Sequence, residues 1–259
     1  MLNYKTIAHI PDGKWVVMIH GAGGNIEVWF KQVAEFSRQF NLLLVDLAGH
    51  GESTHKEVFT TSFNFDLAAD QVIEVLDHLK IRRAHFMGLS LGSIIVHTIA
   101  DHYPQRVDTM VLAGAITHLS LKTRLTFEFV DMFKRIIPFS VVKVLLANSI
   151  IPQQKYNESK STFMRSAQKV TYQGFMQWMR LATTLDKYMD RLLSAEILTP
   201  TLYVMGEDDT LCLSHVKQVA QQSRDNVSLV IIPNAGHVCN IDNKQEFNKI
   251  TLNFINSNC

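Results

Sequence analysis

Short hydrophobic runs alternate along the chain with longer stretches whose apolar positions recur at helical spacing. The runs predict strands at Trp15–His20, Leu42–Asp46, Ala84–Met87, Val107–Leu112, Thr201–Met205 and Val227–Ile232. The longer stretches predict helices at Glu27–Arg38, Ser62–Leu79, Ser90–Tyr103, Ser214–Ser223 and Asn243–Ile255. Continuously apolar strands that alternate with helices are typical of an α/β fold, with a mostly parallel sheet covered by helices on both faces.

The alternation stops in one segment, residues 116–195, where the pattern is helical and almost free of strand signals. Because Pro138 and Pro152 interrupt this segment, we expect several short helices. We therefore predict a core of residues 1–115 and 196–259, with a helical insertion between two strands of its sheet. For most apolar residues of the insertion, packing in a core is the simplest interpretation. Examples are Met132, Phe133, Met164, Met176, Trp178 and Met179.

Composition narrows the possible partners and the location of the protein. The 259 residues are 47% hydrophobic and 19% charged, enough for a large core and without a disorder signature. A formal net charge of +1 indicates no electrostatic preference for nucleic acid or membrane, so the expected partner is a small molecule. The oligomeric state stays open. The first residues lack the apolar region of a secretory signal, and no apolar run has the length of a membrane span. We therefore expect a cytoplasmic protein.

The three cysteines are scattered and indicate neither a disulfide framework nor a zinc site. They are Cys212, Cys239 and Cys259. The sequence therefore predicts no bound metal.

A candidate nucleophile lies in Gly88-Leu89-Ser90-Leu91-Gly92, between a predicted strand and a predicted helix. A serine at such a sharp turn has its hydroxyl pushed out of the sheet, and glycines on either side avoid collisions with the adjoining strand and helix. The start of the helix also provides amides for a developing negative charge. The G-x-S-x-G pattern alone arises by chance, but this context favours Ser90 as the nucleophile.

A serine hydroxyl needs a neighbouring base to accept its proton. Among eleven histidines, His237 is the best candidate because it directly follows the last predicted strand, and strand ends converge at one edge of a sheet. An acid to orient the histidine is expected in Gly206-Glu207-Asp208-Asp209, after the preceding strand. Position alone leaves the three carboxylates of this segment open. The order serine, acid, histidine is the one found with a G-x-S-x-G turn.

Several motifs together make the chain resemble the α/β-hydrolase superfamily over nearly its whole length. They are His20-Gly21-Ala22-Gly23, Asp46-Leu47-Ala48-Gly49-His50-Gly51-Glu52-Ser53, the Ser90 turn, Pro104-x-x-Val107 and Gly236-His237. The resemblance implies that Asp209, the fourth residue of Gly206-x-x-Asp209, is the acid. It also implies that the amides of Ala22 and Leu91 form an oxyanion hole, and that residues 116–195 are a lid inserted after the sixth strand.

Three features depart from the family pattern. Few residues precede the first buried strand, so we expect one of the family's N-terminal antiparallel strands to be missing. Ser93 stands where a third glycine is common, and Leu211-Cys212-Leu213 lacks the usual proline after the acid. None of these departures changes the predicted triad.

The favoured function is hydrolysis of a carboxylic ester or thioester of a small to medium hydrophobic substrate, through an acyl-enzyme and without a cofactor. Three alternatives stay open. A hydrolase-like receptor would bind a small ligand with little turnover, and a lyase or an acyl transferase can use the same triad. The last is a nucleotide-binding oxidoreductase, since Gly21-Ala22-Gly23-Gly24 and Asp46 mimic a dinucleotide fingerprint. It is disfavoured because Ile26 replaces the third glycine.

Overall fold

The computed structural model describes residues 1–54, 63–119, 121–133, 136–182, 184–194, 198–223 and 225–259. The strands are β1 (Tyr4–Ile7), β2 (Trp15–Ile19), β3 (Asn41–Val45), β4 (Ala84–Leu89), β5 (Val107–Ala113), β6 (Thr201–Gly206) and β7 (Val227–Ile232). The helices are α1 (Phe30–Phe36), α2 (Phe65–His78), α3 (Leu91–His102), α4 (Leu121–Phe133), α5 (Phe139–Ile150), α6 (Asn157–Ala167), α7 (Tyr172–Ala182), α8 (Leu185–Ser194), α9 (Leu213–Gln222), α10 (Cys239–Asp242) and α11 (Lys244–Ser257). Short 3-10 helices occupy Ile26–Trp29, Pro104–Arg106 and Gln154–Tyr156.

The strands form one sheet of seven in the order β1-β3-β2-β4-β5-β6-β7. β1 pairs antiparallel with β3, and every other pair of neighbours is parallel. This arrangement confirms the predicted mostly parallel α/β sheet. The chain runs outward from β2 to β3, returns to β4 on the other side of β2, and then continues outward. The loops after β2 and β4 therefore diverge, which opens a crevice at the carboxyl edge of the sheet.

Hydrophobic side chains fill both faces of the sheet. In β2, Val17 and Ile19 belong to the core shared with α2 and α3, whereas Val16 and Met18 belong to the core shared with α1 and α11. Successive side chains of a strand point to opposite faces, so a strand covered on both sides needs apolar residues at every position. This is why the central strands appear in the sequence as continuous apolar runs.

The structure corrects several predicted boundaries. The predicted helix over Glu27–Arg38 is divided into a 3-10 helix and α1. The helix predicted from Ser62 begins at Phe65 with Asn64 as its cap, whose side chain accepts a hydrogen bond of 2.8 Å from the Leu67 amide. Ser62 itself lies outside the described residues. β1 was not predicted, because this strand lies at the edge of the sheet, is only partly buried and carries no apolar run.

Helices α4 to α8 lie between β5 and β6, in the segment called here the insertion, residues 116–195. Among the described residues, the insertion follows the fifth strand, β5, so the expected position after a sixth strand is wrong. The difference arises at the beginning of the described chain, where a single strand, β1, precedes β2. The domain boundaries stay predictions, and Ala195 lies outside the described residues. Val130, Val142 and Phe175 belong to a small core of the insertion itself.

Met132, named above as an expected core residue, does not pack in a core. Met132 is 74% exposed, because α4 turns this side chain toward solvent.

Within the described ranges, no helix combines the length and apolarity needed to cross a bilayer.

Candidate active site

Ser90 occupies a sharp turn between β4 and α3, with φ of 53° and ψ of −117°. A residue other than glycine seldom adopts this conformation, and such strain is concentrated at functional sites. A Cβ atom at Gly88 would lie 2.4 Å from the carbonyl oxygen of Gly92, and one at Gly92 would lie 2.3 Å from that of Ile19. Glycine is therefore required on both sides of Ser90, as the sequence predicts.

Ser93, which replaces a third glycine of the family pattern, has a definite place in this turn. Its hydroxyl donates a hydrogen bond of 2.6 Å to the Ser90 carbonyl and accepts one of 3.1 Å from the Ile116 amide. The side chain is fully buried. This departure therefore links the Ser90 turn to the beginning of the insertion.

The structure brings Ser90, His237 and Asp209 together in one hydrogen-bonded chain. The Oγ of Ser90 lies 2.9 Å from Nε2 of His237, and Nδ1 of His237 lies 2.9 Å from Oδ2 of Asp209. A carboxylate only accepts, so Nδ1 carries the imidazole proton and Nε2 is free to accept the serine proton. The amides of Leu211 and Cys212 donate to Oδ1 of Asp209 at 3.0 and 3.2 Å, which fixes the carboxylate.

The pKa shifts of His237 and Asp209 suit a base and the acid that orients it. Burial favours neutral forms, but the charge and hydrogen bond of Asp209 outweigh burial and raise the pKa of His237 above its ordinary value. Burial likewise opposes the charge of Asp209, yet His237 and two backbone amides lower the pKa of its carboxyl group. Asp209 is therefore ionised at neutral pH and stabilises an imidazolium at His237.

The neighbouring carboxylates have other partners. Oδ2 of Asp208 lies 2.6 Å from Nζ of Lys155 and accepts a hydrogen bond from the hydroxyl of Tyr156, both in the insertion. Glu207 accepts a hydrogen bond of 3.3 Å from the Asn234 amide. Among the three carboxylates that sequence position left open, Asp209 therefore reaches the histidine.

The predicted oxyanion-hole residues, Ala22 and Leu91, line the same cavity as Ser90. The loop after β2 lies against the nucleophile, since a Cβ atom at Gly21 would lie 2.9 Å from Cβ of Ser90. Leu91 is the first residue of α3, so its amide has no acceptor within the helix. In the described part of the chain, neither amide donates to a protein acceptor. Both are thus available to an oxyanion, and this role stays a prediction.

Two buried histidines, His20 and His50, fix the loops around this site, a role that the sequence did not reveal. Nδ1 of His20 donates to the Gly21 carbonyl at 2.7 Å, and its Nε2 accepts from the Leu47 amide at 2.9 Å. The rings of His20 and His50 lie 5.1 Å apart, centroid to centroid.

His50 repeats this arrangement one loop away. Its Nδ1 donates to the Ala48 carbonyl at 3.1 Å, and its Nε2 accepts from the Gly23 amide at 3.0 Å. Burial lowers the pKa of His20 to about 4 and that of His50 to about 3. Both rings are therefore neutral and act as fixed connectors, with His50 holding the loop that contains Ala22. For His20, the available signal was its position directly after β2.

Asp46 has a structural role that disfavours the dinucleotide-binding alternative. Its Oδ1 accepts from the Ile26 amide at 2.8 Å, and its Oδ2 accepts from the Asn3 side chain at 2.8 Å and the Glu52 amide at 3.0 Å. A Cβ atom at Gly51 would lie only 2.2 Å from this carboxylate. Asp46 is buried with its hydrogen bonds made, so it does not face a space for a ribose.

A cavity of about 120 Å³ opens beside Ser90, and apolar side chains of the insertion form most of its wall. They include Leu146, Ile150, Phe163, Val170, Trp178 and Met179. Nε1 of Trp178 donates a hydrogen bond of 2.8 Å to the Ala48 carbonyl, and its ring packs in the main core. Met179 belongs instead to the core of the insertion. Both residues therefore line the cavity and stabilise the fold.

One group in the described chain has donor atoms close enough for a metal ion. Ligand atoms of Asp209, Cys212 and His237 lie within 4.8 Å of one another. However, Asp209 and His237 already bond to each other, and burial raises the pKa of the Cys212 thiol well above its usual range. Metals bind the thiolate, so this environment opposes binding.

Comparison with known families identifies the class of the protein. A profile described as alpha/beta hydrolase fold matches residues 14–244, most of the chain. The protein therefore belongs to the α/β-hydrolase family and is an enzyme of that family, as the fold and the motifs indicated.

Individual relatives are similar over nearly the whole chain. A putative carbamate hydrolase RutD of Pseudomonas savastanoi pv. phaseolicola is 26% identical over 262 residues, covering 95% of each chain. A solved structure of a hydrolase from Pseudomonas aeruginosa PA01 has a TM-score of 0.79 and 25% identity, covering 97% of this chain and 93% of its own. Over a shorter stretch, 3-oxoadipate enol-lactonase 2 of Acinetobacter baylyi is 30% identical across 113 residues, 44% of this chain and 41% of its own.

Proposed function

We propose that the protein hydrolyses a carboxylic ester or thioester of a small to medium hydrophobic substrate through an acyl-enzyme at Ser90. The observation that carries the proposal is the continuous chain of hydrogen bonds from Ser90 through His237 to Asp209, at the edge of an apolar cavity. The relatives support hydrolysis as the reaction class. Their names differ in substrate, so they support no particular ester.

The chemistry follows from the positions of the atoms. Oγ of Ser90 attacks the acyl carbon while its proton passes to Nε2 of His237, and Asp209 stabilises the imidazolium. The negative charge on the former carbonyl oxygen is held by the amides of Ala22 and Leu91. His237 then gives its proton to the leaving alcohol or thiol, and the acyl group remains on Ser90. Water, deprotonated by His237, attacks this ester and releases the acid and the free enzyme.

The apolar wall of the cavity supports a hydrophobic acyl or alcohol group. Each buried methylene contributes about 0.8 kcal/mol to binding, so a suitable chain is held without any polar contact. The residues that form this wall come mainly from the insertion, whereas those that react lie in loops at the carboxyl edge of the sheet. Substrate preference and chemistry thus rest on different parts of the molecule.

A series of p-nitrophenyl esters of increasing acyl length tests the proposal. We expect steady turnover by the wild type and loss of nearly all activity in Ser90→Ala, with the fold intact because this side chain adds little packing. Ser161→Ala, at an exposed serine of α6, is the matched control. Residual activity of Ser90→Ala within about tenfold of the wild type would contradict the assignment.

Three further measurements test the nucleophile and separate hydrolysis from two of the alternatives. A fluorophosphonate probe should label Ser90, and labelling of another serine would contradict the proposed nucleophile. A single burst of p-nitrophenol without turnover would instead indicate a receptor. Turnover that requires an added alcohol or thiol acceptor would indicate an acyl transferase.

A further inference from the structure

Helix α5 of the insertion carries its only charge on the face that it turns toward the cavity. Phe139, Lys143, Leu146 and Ile150 line the cavity, with the spacing of one helical face. Lys143 is the single charged residue of this helix, whose sequence is FSVVKVLLANSI. A helix that packs on a core normally does the opposite, with its charges outside and its aliphatic residues inside.

The outer face of α5 shows that a solvated position was available for this lysine. Val141, Val144 and Leu145 are exposed by 45%, 45% and 39%. Lys143, by contrast, is half-buried, and its Nζ lies 4.3 Å from the centre of the Phe139 ring. The ammonium group therefore lies over an aromatic wall of the cavity.

Lys143 has no counter-ion in the described part of the chain. No described acidic residue lines the cavity, and no ion pair or hydrogen bond of the Lys143 ammonium occurs among the described residues. Burial lowers the pKa of Lys143, which reflects the cost of holding an unpaired charge there. His118, also at the cavity wall, already faces Asp186 at 3.3 Å. Among the described residues of the wall, Lys143 thus contributes a positive charge without a counter-ion.

We propose that the substrate carries a carboxylate that binds Lys143 while its ester or thioester carbon lies at Ser90. This inference rests on the proposed hydrolysis and narrows its substrate class to monoesters of dicarboxylic acids or similar acids with a hydrophobic spacer. A carboxylate pairs with the ammonium by a charge-assisted hydrogen bond, and the apolar wall between the two groups holds the spacer. The length of the spacer sets the register between the two ends of the substrate.

The kinetic test compares mono-p-nitrophenyl esters of dicarboxylic acids, from succinate to suberate, with neutral p-nitrophenyl alkanoates of matched length. At one length, we expect the wild type to prefer the acid in kcat/KM by about tenfold or more. Lys143→Met should abolish this preference, and Lys143→Glu should reverse it. Lys187→Met, at an exposed lysine of α8 outside the cavity, should preserve it.

A binding test keeps this inference separate from the proposed reaction. Monomethyl adipate and dimethyl adipate are titrated by calorimetry into Ser90→Ala and into the double variant with Lys143→Met. Tighter binding of the anion, lost on removal of Lys143, supports the carboxylate site even if no ester is turned over. Equal binding of the two ligands, or equal losses for both in the double variant, would overturn it. Absence of turnover alone would contradict only the hydrolase proposal.

Discussion

The sheet and the insertion place their hydrophobic residues in different ways. Every residue of β3 is buried, and no side-chain atom fits at Gly88 of β4 or at Gly92 in the first turn of α3, which follows β4. In the insertion, Phe129 and Met132 are 50% and 74% exposed, and the only charge of α5 faces inward. The sheet and its adjoining turns thus leave no room for larger side chains near Ser90, whereas the insertion provides the apolar wall of the cavity. Changes in the sheet should therefore alter the rate, and changes in the insertion should alter substrate preference.

The largest expected effect concerns the acid. Asp209→Asn should lower kcat by about 10³- to 10⁴-fold, because an amide stabilises the imidazolium poorly and favours the wrong imidazole tautomer. Asp208→Asn is the matched control, since Asp208 pairs with Lys155 and does not reach His237. Its kcat for a short ester should stay within a fewfold of the wild type. Equal losses of kcat in the two variants would contradict the assignment of Asp209 as the acid.

A pH profile tests the electrostatics of the same site. His237 accepts the serine proton only when neutral, so kcat/KM should fall as pH drops through the pKa of His237. Because Asp209 raises this pKa, we expect the midpoint to lie above about 6.5, the ordinary value for histidine. Below it, the rate should fall about tenfold per pH unit.

A nearby variant sharpens the pH test. The carboxylate of Asp242 also raises the pKa of His237, and it accepts a hydrogen bond of 2.9 Å from the Gly236 amide. Asp242→Asn removes the charge and keeps an acceptor, so the midpoint should move to lower pH. Asp208→Asn should leave the midpoint unchanged. A midpoint that rises in Asp242→Asn would contradict this account.

His50 offers a test of the positioning of the oxyanion loop. His50→Leu leaves the half-buried Gly23 amide without its acceptor, at a cost of about 1 kcal/mol or more. We expect kcat to fall by about fivefold or more, with a smaller change in KM, since His50 also lines the cavity but most of the apolar wall belongs to the insertion. His50→Gln retains an acceptor near the position of Nε2 and should recover part of kcat. Equal rates for the two variants, or a loss confined to KM, would remove His50 from this role.

Much of the site was predictable because the chemistry lies at strand ends. The Ser90 turn, the Asp209 loop and His237 each follow a strand, and the carboxyl ends of parallel strands meet at one edge. The sequence could not show how His20 and His50 bond, since both contacts join loops far apart in the chain. These are tertiary contacts, which local sequence patterns do not predict.

The insertion was the least predictable region. Its helical periodicity was evident, but periodicity fixes only the spacing of a face and not its direction. Met132 was predicted as core and is exposed, whereas Lys143 lies on the face lining the cavity. Short helices that pack over a cavity have two apolar environments, so hydrophobicity alone does not tell which face turns inward.

The smallest expected effect is a change in acyl-chain preference at the wall of the cavity. Met179 lines the cavity and Trp178 does too, but Trp178 also donates to the Ala48 carbonyl and packs in the main core. Trp178→Ala should therefore destabilise the fold by about 3–5 kcal/mol. Its effect on acyl-chain preference would then be mixed with the effect of lost stability. Met179→Ala is the better probe, with Met132→Ala as control because Met132 is 74% exposed.

In Met179→Ala, short acyl chains lose apolar contact, whereas longer chains can occupy the space that the side chain leaves. The ratio of kcat/KM for long over short p-nitrophenyl esters should rise by about fourfold per methylene accommodated, from about 0.8 kcal/mol each. kcat for the shortest ester should change less, because the wall does not touch the oxyanion. Thermal unfolding of both variants provides the stability control. A lower melting temperature with an unaltered chain-length profile would show that Met179 acts only in the core of the insertion, and the division between sheet and insertion would then fail at this residue.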